Sequence, residues 1–89
     1  MKDMTPKLRR QWEKSRKHIA INRTYRHYKG GVYRVLALAH DCETLEPIVV
    51  YENVDDGGTF TRKASNWLSP SKDPDTGVKN VRFVLLGIQ

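Results

Sequence analysis

Cysteine is nearly missing from this chain, since Cys42 is the single thiol among 89 residues. One thiol cannot form an internal disulfide, which is typical of a protein in a reducing compartment. Long apolar runs are also missing: no segment approaches the roughly 20 apolar residues that cross a bilayer. The first residues carry charges without the apolar stretch of a secretory signal. We therefore expect a cytoplasmic protein with no membrane partner.

Apolar residues are scarce, at 38% of the chain. A chain of this length suits one domain and buries only about 60–65% of the surface that its unfolded form exposes, so its core is thin. A deep active site that excludes water is not expected. Cys42 has no recognisable catalytic partner, and no general-base pair or nucleophile dyad is evident. We predict that the protein is not an enzyme.

Motifs for metals and cofactors are missing as well. The three histidines, His18, His27 and His40, lack the spacing of four residues that pairs ligands on a helix. The segment 73–77 (DPDTG) echoes a calcium loop but lacks the later acid in register. The "KGG" of residues 29–31 lacks the helix that follows a phosphate loop. The sequence predicts neither a metal nor a cofactor.

Positive charge is what the sequence has in excess, and it is concentrated at one end. Residues 1–23 hold eight Lys or Arg and two acids, and residues 24–89 hold eight of each sign, so the whole net charge of +6 lies in the first segment. This pattern predicts a basic arm over residues 1–22 and a near-neutral domain over residues 23–89. The cations of the predicted helix that could bind a polyanion are Lys7, Arg9, Arg10, Lys14, Arg16 and Lys17.

A helix is predicted from Pro6 to Ile19. Thr5 is a suitable N-cap, and proline is favoured at the first helical position. Leu8, Trp12 and Ile19 then share one narrow apolar stripe. Because this stripe is too narrow for a free-standing element, it must pack on the domain, pair with another copy in a homo-oligomer, or order on binding.

After Asn22 the sequence has the pattern of short β-strands separated by turns. Five strands are predicted, with a single helical turn over residues 64–68 and a polar loop before the last strand. The strand segments are residues 24–28, 32–40, 47–54, 59–63 and 81–86. Glycine-closed turns and the helical turn favour a mainly-β fold, a small SH3-like five-stranded barrel preceded by the basic helix.

These residues resemble a known family. "YRHYKGGVYRVLALAHDCETLEPIVVYEN", followed by Phe60-Thr61-Arg62 and later Arg82-Phe83, is similar to the domain of unknown function 1653 family of small bacterial and phage proteins. The resemblance covers roughly residues 24–87 and implies a small β-barrel, with no established activity. Cys42 stands where the family often has serine, and Lys63 replaces a proline.

Chemistry-bearing side chains are concentrated in the first strand and its turn. Strand alternation places Tyr25, His27 and Lys29 on one face, where a ring, an imidazole and an ammonium suit a base and a phosphate. The alternative is that Tyr25 covers one end of a barrel while the other two face water. Arg62 offers a planar fork for an anion, or an internal ion pair with Glu43, Glu46 or Glu52.

The predicted ligand site combines these groups with residues of the next strands. Tyr25 and Tyr51 would supply rings, His27, Lys29 and Arg62 would supply donors, and Glu43 and Thr44 would fix orientation unless they only close their loop. We therefore predict a non-enzymatic module that recognises an anionic, nucleotide-containing ligand, with nucleic acid, bound through the basic arm and this Tyr/His/Lys/Arg face, as the leading candidate. The alternatives are a phage-type protein that sequesters a small signalling nucleotide, and an inhibitor that acts through a protein partner.

Overall fold

The computed structural model describes residues 4–87. The first three residues of the predicted arm and the last two of the predicted barrel lie outside this range. The elements, in chain order, are α1 (Pro6–His18), β1 (Thr24–His27), β2 (Val32–His40), β3 (Pro47–Asn53), β4 (Thr59–Lys63), α2 (Ala64–Leu68), β5 (Ser71–Lys72), β6 (Lys79–Asn80) and β7 (Phe83–Leu85).

The protein is mainly β, as predicted, but its main sheet does not close into a barrel. Five antiparallel strands follow the order β4-β3-β2-β1-β7, so β4 and β7 are the two edges of an open sheet. Strand β4 runs directly into α2, which inserts a helix where a closed barrel would need a backbone ladder to β7. The predicted five-stranded closure is therefore corrected to an open five-stranded sheet.

Side chains join the two edges of the sheet in place of backbone pairing. Trp67 of α2 stacks on Phe83 of β7, with ring centroids 3.6 Å apart and an interplanar angle of 2°. Arg62 of β4 also lies over the Phe83 ring, at 5.3 Å from its centroid. These contacts bend the sheet around one apolar cluster, whose buried members are Ile19, Tyr25, Val35, Val49, Tyr51, Ala64, Trp67 and Phe83.

The predicted N-terminal helix is present and packs on its own chain. The Leu8 N–H donates to the Thr5 hydroxyl at 3.2 Å, which caps the first turn as expected. Ile19 is buried in the cluster described above, and Trp12 stacks on His40 at 4.0 Å between ring centroids. The helix therefore covers the sheet at the His40 end of β2.

One short hairpin lies where the sequence predicted only a polar loop. Strands β5 and β6 pair as a separate two-stranded sheet. The Asp73 carboxylate accepts the backbone N–H of Asp75 at 2.8 Å, and Gly77 follows with a φ of 74°. The segment that echoes a calcium loop is thus a turn closed by its own aspartate. Within residues 4–87, neither helix is long and apolar enough to cross a membrane.

Trp67→Ala tests whether the edge-to-edge stack holds the fold together. Trp67 is 3% exposed, so its loss leaves a cavity between β3, α2 and β7 and should lower the free energy of unfolding by about 3–5 kcal/mol. Urea denaturation measures the change. Val54→Ala is the matched control, because Val54 is 45% exposed and its truncation should cost no more than about 0.5 kcal/mol. Equal effects of the two substitutions would contradict this account.

Candidate functional site

A concave pocket of about 280 Å³ opens where the turn between β1 and β2 approaches β4 and β7. We call it the aromatic pocket, and its lining residues are His27, Lys29, Gly31, Tyr33, Tyr51, Arg62 and Phe83. Four residues that the sequence analysis placed in a ligand site, His27, Lys29, Tyr51 and Arg62, are thereby brought together. None of the lining residues is acidic.

Three aromatic rings form the walls of the aromatic pocket. Tyr33 meets Tyr51 edge to face at 5.4 Å between centroids, and Phe83 lies 6.1 Å from Tyr51 and 6.2 Å from Tyr33. Phe60 extends this surface outward, because it lies 5.8 Å from Tyr51 and is 47% exposed. Because Tyr51 and Phe83 are each only 6% exposed, Tyr33 and Phe60 are the rings whose faces suit a planar, apolar group such as a nucleobase.

Arg62 is held in the pocket by neutral partners. Its Nε donates to the Tyr51 hydroxyl at 3.2 Å, and one terminal nitrogen donates to the side-chain oxygen of Asn66. Two of the carboxylates predicted as its ion-pair partners are engaged elsewhere. Glu46 pairs with Lys63 at 3.4 Å, and Glu52 pairs with Arg34 at 3.9 Å.

His27 lies among cations at the mouth of the pocket. Its Nδ1 accepts the backbone N–H of Lys29 at 3.2 Å, and its ring meets Phe83 edge to face at 4.9 Å. Burial is the largest cause that lowers the pKa of His27 below its ordinary value of 6.5, followed by the charge of Arg62. The charges of Arg82 and Lys29 lower this pKa further. The local field is therefore positive and favours an anion.

Glycines shape the turn that carries Lys29. Gly30 has a φ of 110°, a conformation that side-chain-bearing residues rarely adopt, and its N–H donates to the His27 carbonyl at 2.7 Å. A Cβ on Gly31 would lie 2.7 Å from the Tyr33 ring. The second glycine is therefore needed for the Tyr33 ring to lie against the turn.

Tyr25 belongs to the core and does not line the pocket. Only 4% of it is exposed, its hydroxyl accepts the Ala20 N–H at 2.9 Å, and its ring meets Trp67 edge to face. The alternation of β1 does place it on the same face as His27, but the segment after α1 covers that end of the strand. The structure therefore favours the alternative in which Tyr25 covers one end of the fold.

Glu43 and Thr44 lie far from the aromatic pocket. They occupy the turn after β2, and the strand from Tyr33 to His40 spans roughly 23 Å at the usual rise per residue. The Asp41 carboxylate accepts the backbone N–H groups of Glu43 and Thr44, each at 2.9 Å, and these bonds lower the pKa of Asp41. The structure therefore supports the loop-closing alternative for this segment.

Three lining residues were not predicted: Gly31, Tyr33 and Phe83. Only cross-strand register could have indicated the two rings, because Tyr33 pairs with Tyr25 and Phe83 pairs with His27. Paired residues share a face of the sheet, so both rings lie on the His27 side. That register depends on which strands are neighbours, which local patterns do not show.

The cations of α1 form a separate surface. Lys7, Arg10, Lys14 and Lys17 follow spacings of three, four and three residues, so they lie on one stripe of the helix, and all four are exposed. Arg9 and Arg16 are exposed too, and Arg16 lies 3.7 Å from Glu13. None of these six residues lines the aromatic pocket.

A second concavity, of about 300 Å³, lies between α1 and α2. It combines Lys14 and Glu46 with serines and contains no aromatic ring, so it offers no stacking surface. Within residues 4–87, no three His, Cys, Asp or Glu side chains come together in a cluster that could hold a metal ion. The aromatic pocket is therefore the stronger candidate for a binding site.

These features define a class of protein: a small mainly-β domain that carries a basic, aromatic pocket where the two edges of an open sheet approach each other. A sequence profile described as "Protein of unknown function (DUF1653)" matches residues 23–85, well over half of the chain, so the chain belongs to this family. A comparison with curated proteins gave no match.

A solved structure supports the same relationship. The chain is similar to a DUF1653 protein from Bordetella bronchiseptica, known from a crystal structure, with 32% identity and a TM-score of 0.64. The similarity covers 78% of this chain and 90% of that one. The family resemblance expected from the strand motifs is thus confirmed.

His27 should make the stability of the protein depend on pH. Because its pKa is lowered in the folded state, the unfolded chain takes up this proton first as the pH falls below about 6.5. The free energy of unfolding should therefore fall with acidification through this window, and His27→Gln should make that fall shallower. Urea denaturation across the window measures both proteins, with His18→Gln as the control for losing an exposed imidazole. An unchanged pH dependence in His27→Gln would contradict the burial of this ring among cations.

Proposed function

We propose that this protein is a non-enzymatic binding module for nucleic acid, and that the aromatic pocket holds a base together with its phosphate. One observation carries the proposal: three rings meet Lys29, Arg62 and His27 in one concavity without an acidic lining residue. A base would stack on Tyr33 or Phe60, and a phosphate would accept from the Arg62 guanidinium and the Lys29 ammonium.

The basic stripe of α1 supplies the second part of the proposal. Lys7, Arg10, Lys14 and Lys17 would neutralise phosphates of the same ligand outside the pocket. Such contacts add affinity without sequence preference and make binding sensitive to salt. The aromatic pocket would then determine which part of the nucleic acid is bound.

Three further interpretations belong to the proposal. The first is the SH3-like character of the fold, which the short antiparallel strands and the helical turn α2 before the last strand favour. The second is a cytoplasmic location, which the lone exposed thiol of Cys42 favours. A homo-oligomer through Leu8 and Trp12 is a weaker proposal, because Trp12 stacks on His40 of its own chain.

A small nucleotide is the second candidate ligand. The observation in its favour is that α1 contributes no lining residue to the aromatic pocket, so the pocket could bind without the helix. Its volume, about 280 Å³, is slightly below the range of about 300–1,000 Å³ that is usual for ligand sites. In this version, loss of the helix charges leaves binding intact.

Salt-dependent titration distinguishes the two candidates. A fluorescent single strand of roughly 12 nucleotides is titrated by anisotropy at about 50 mM and about 200 mM salt. Replacing Lys7, Arg10, Lys14 and Lys17 by glutamine should reduce the salt slope by about 0.7 for each phosphate that is no longer neutralised. We choose substitution over deletion of the arm because Ile19 is 2% exposed in the core. Binding that is absent or insensitive to salt would sink the nucleic-acid proposal.

Lys29→Gln tests the pocket in the same assay. The ammonium is exposed, so its removal should leave the fold intact while weakening binding about tenfold, as expected for a charge-assisted phosphate contact. Lys72→Gln is the matched control, because Lys72 is an exposed lysine of the β5–β6 hairpin. If both variants bind like the unmodified protein, the pocket is not the site.

A further inference from the structure

Another groove adjoins the aromatic pocket and lies on the other side of the turn between β1 and β2. It encloses about 490 Å³, and we call it the Arg26 groove. Besides His27, Lys29 and Gly30, its lining residues are Arg26, Tyr28, Asn80, Val81 and Val84. His27 and Lys29 line both concavities, so the two sites adjoin at the turn between β1 and β2.

Strand alternation explains why one turn serves two sites. His27 points to the inner face of the sheet, whereas Arg26 pairs with Val84 and Val32 on the outer face. Strand β7 is an edge strand, so no further strand of the main sheet lies beyond it. The path from the inner face to the outer face, around the turn between β1 and β2, is therefore not covered by a strand of the main sheet. A flexible chain could therefore pass from the inner face to the outer face beside Lys29.

The chemistry of the Arg26 groove repeats that of the aromatic pocket. It pairs cations with an aromatic ring: Lys29 Nζ lies 5.7 Å from the centroid of Tyr28, and no acidic residue lines the groove. Val81 and Val84, which are 67% and 48% exposed, add an apolar floor that solvent reaches. A base can lie against Tyr28 and the valines while Arg26 meets a phosphate.

From this arrangement, and resting on the proposed function, we propose that the ligand is a single strand, as short as a dinucleotide. One base occupies the aromatic pocket, its neighbour occupies the Arg26 groove, and the phosphodiester between them lies at Lys29. A duplex does not suit this geometry, since its bases are stacked and paired and cannot reach separate aromatic surfaces.

Calorimetric titration with uridine 5′-monophosphate and with the dinucleotide pUpU tests the proposal. The dinucleotide should bind about tenfold more tightly, because its second nucleotide adds a stacking contact at Tyr28 and a phosphate contact at Arg26. Arg26→Gln should remove the phosphate contact, so it should reduce this advantage and leave the affinity for the mononucleotide unchanged. Arg34→Gln is the matched control: it lies on the same face of the sheet, lines neither concavity and should preserve both affinities.

The outcomes separate this inference from the function on which it rests. Equal affinities for the two probes, or a dinucleotide advantage that Arg26→Gln does not reduce, would overturn the single-strand inference alone. If neither probe binds the unmodified protein, the nucleotide-binding proposal fails as well. A second variant, Tyr28→Leu, removes the ring of the groove without changing charge and should reduce the dinucleotide advantage in the same way.

Discussion

The stack of Trp67 on Phe83 brings together two elements that the strand order places at opposite edges of the sheet. Because α2 follows β4 directly, the Trp67 ring reaches β7. Arg62, near the end of β4, lies over the Phe83 ring. The aromatic pocket depends on this closure by side chains, because the closure brings Arg62 of β4 close to His27 of β1. Stability and the geometry of the pocket thus depend on the same contact.

Positive charge accompanies this closure. Burial is the largest cause that lowers the pKa of His27, and the charges of Arg62, Arg82 and Lys29 lower it further; no carboxylate lines the pocket. Tyr51 and Asn66 hold the guanidinium in place as neutral acceptors. A site that is preorganised in this way favours an anion whose oxygens accept hydrogen bonds, because folding has already placed the cations close together.

Much of this arrangement could be predicted from the chain alone. Capping by Thr5 and the alternating pattern of Val32–His40 indicated the helix and the longest strand at their observed positions, because both depend on neighbours in sequence. Alternation also placed His27 and Lys29 toward one site. It could not show that Tyr25 lies beneath the segment after α1, nor that Tyr33 and Phe83 face His27, since burial and cross-strand pairing depend on distant residues. The open sheet was missed for the same reason.

The central claim is that an anionic nucleotide ligand occupies the aromatic pocket. NMR of the ¹⁵N-labelled protein tests it most directly, by following the Arg62 Nε–H signal and the Gly31 and Lys29 amides during titration with pUpU. The account predicts that these signals move together and saturate, with shifts confined to the residues that line the aromatic pocket and the Arg26 groove. Shifts confined to the basic stripe of α1, with the Arg62 Nε–H signal unmoved, would contradict it.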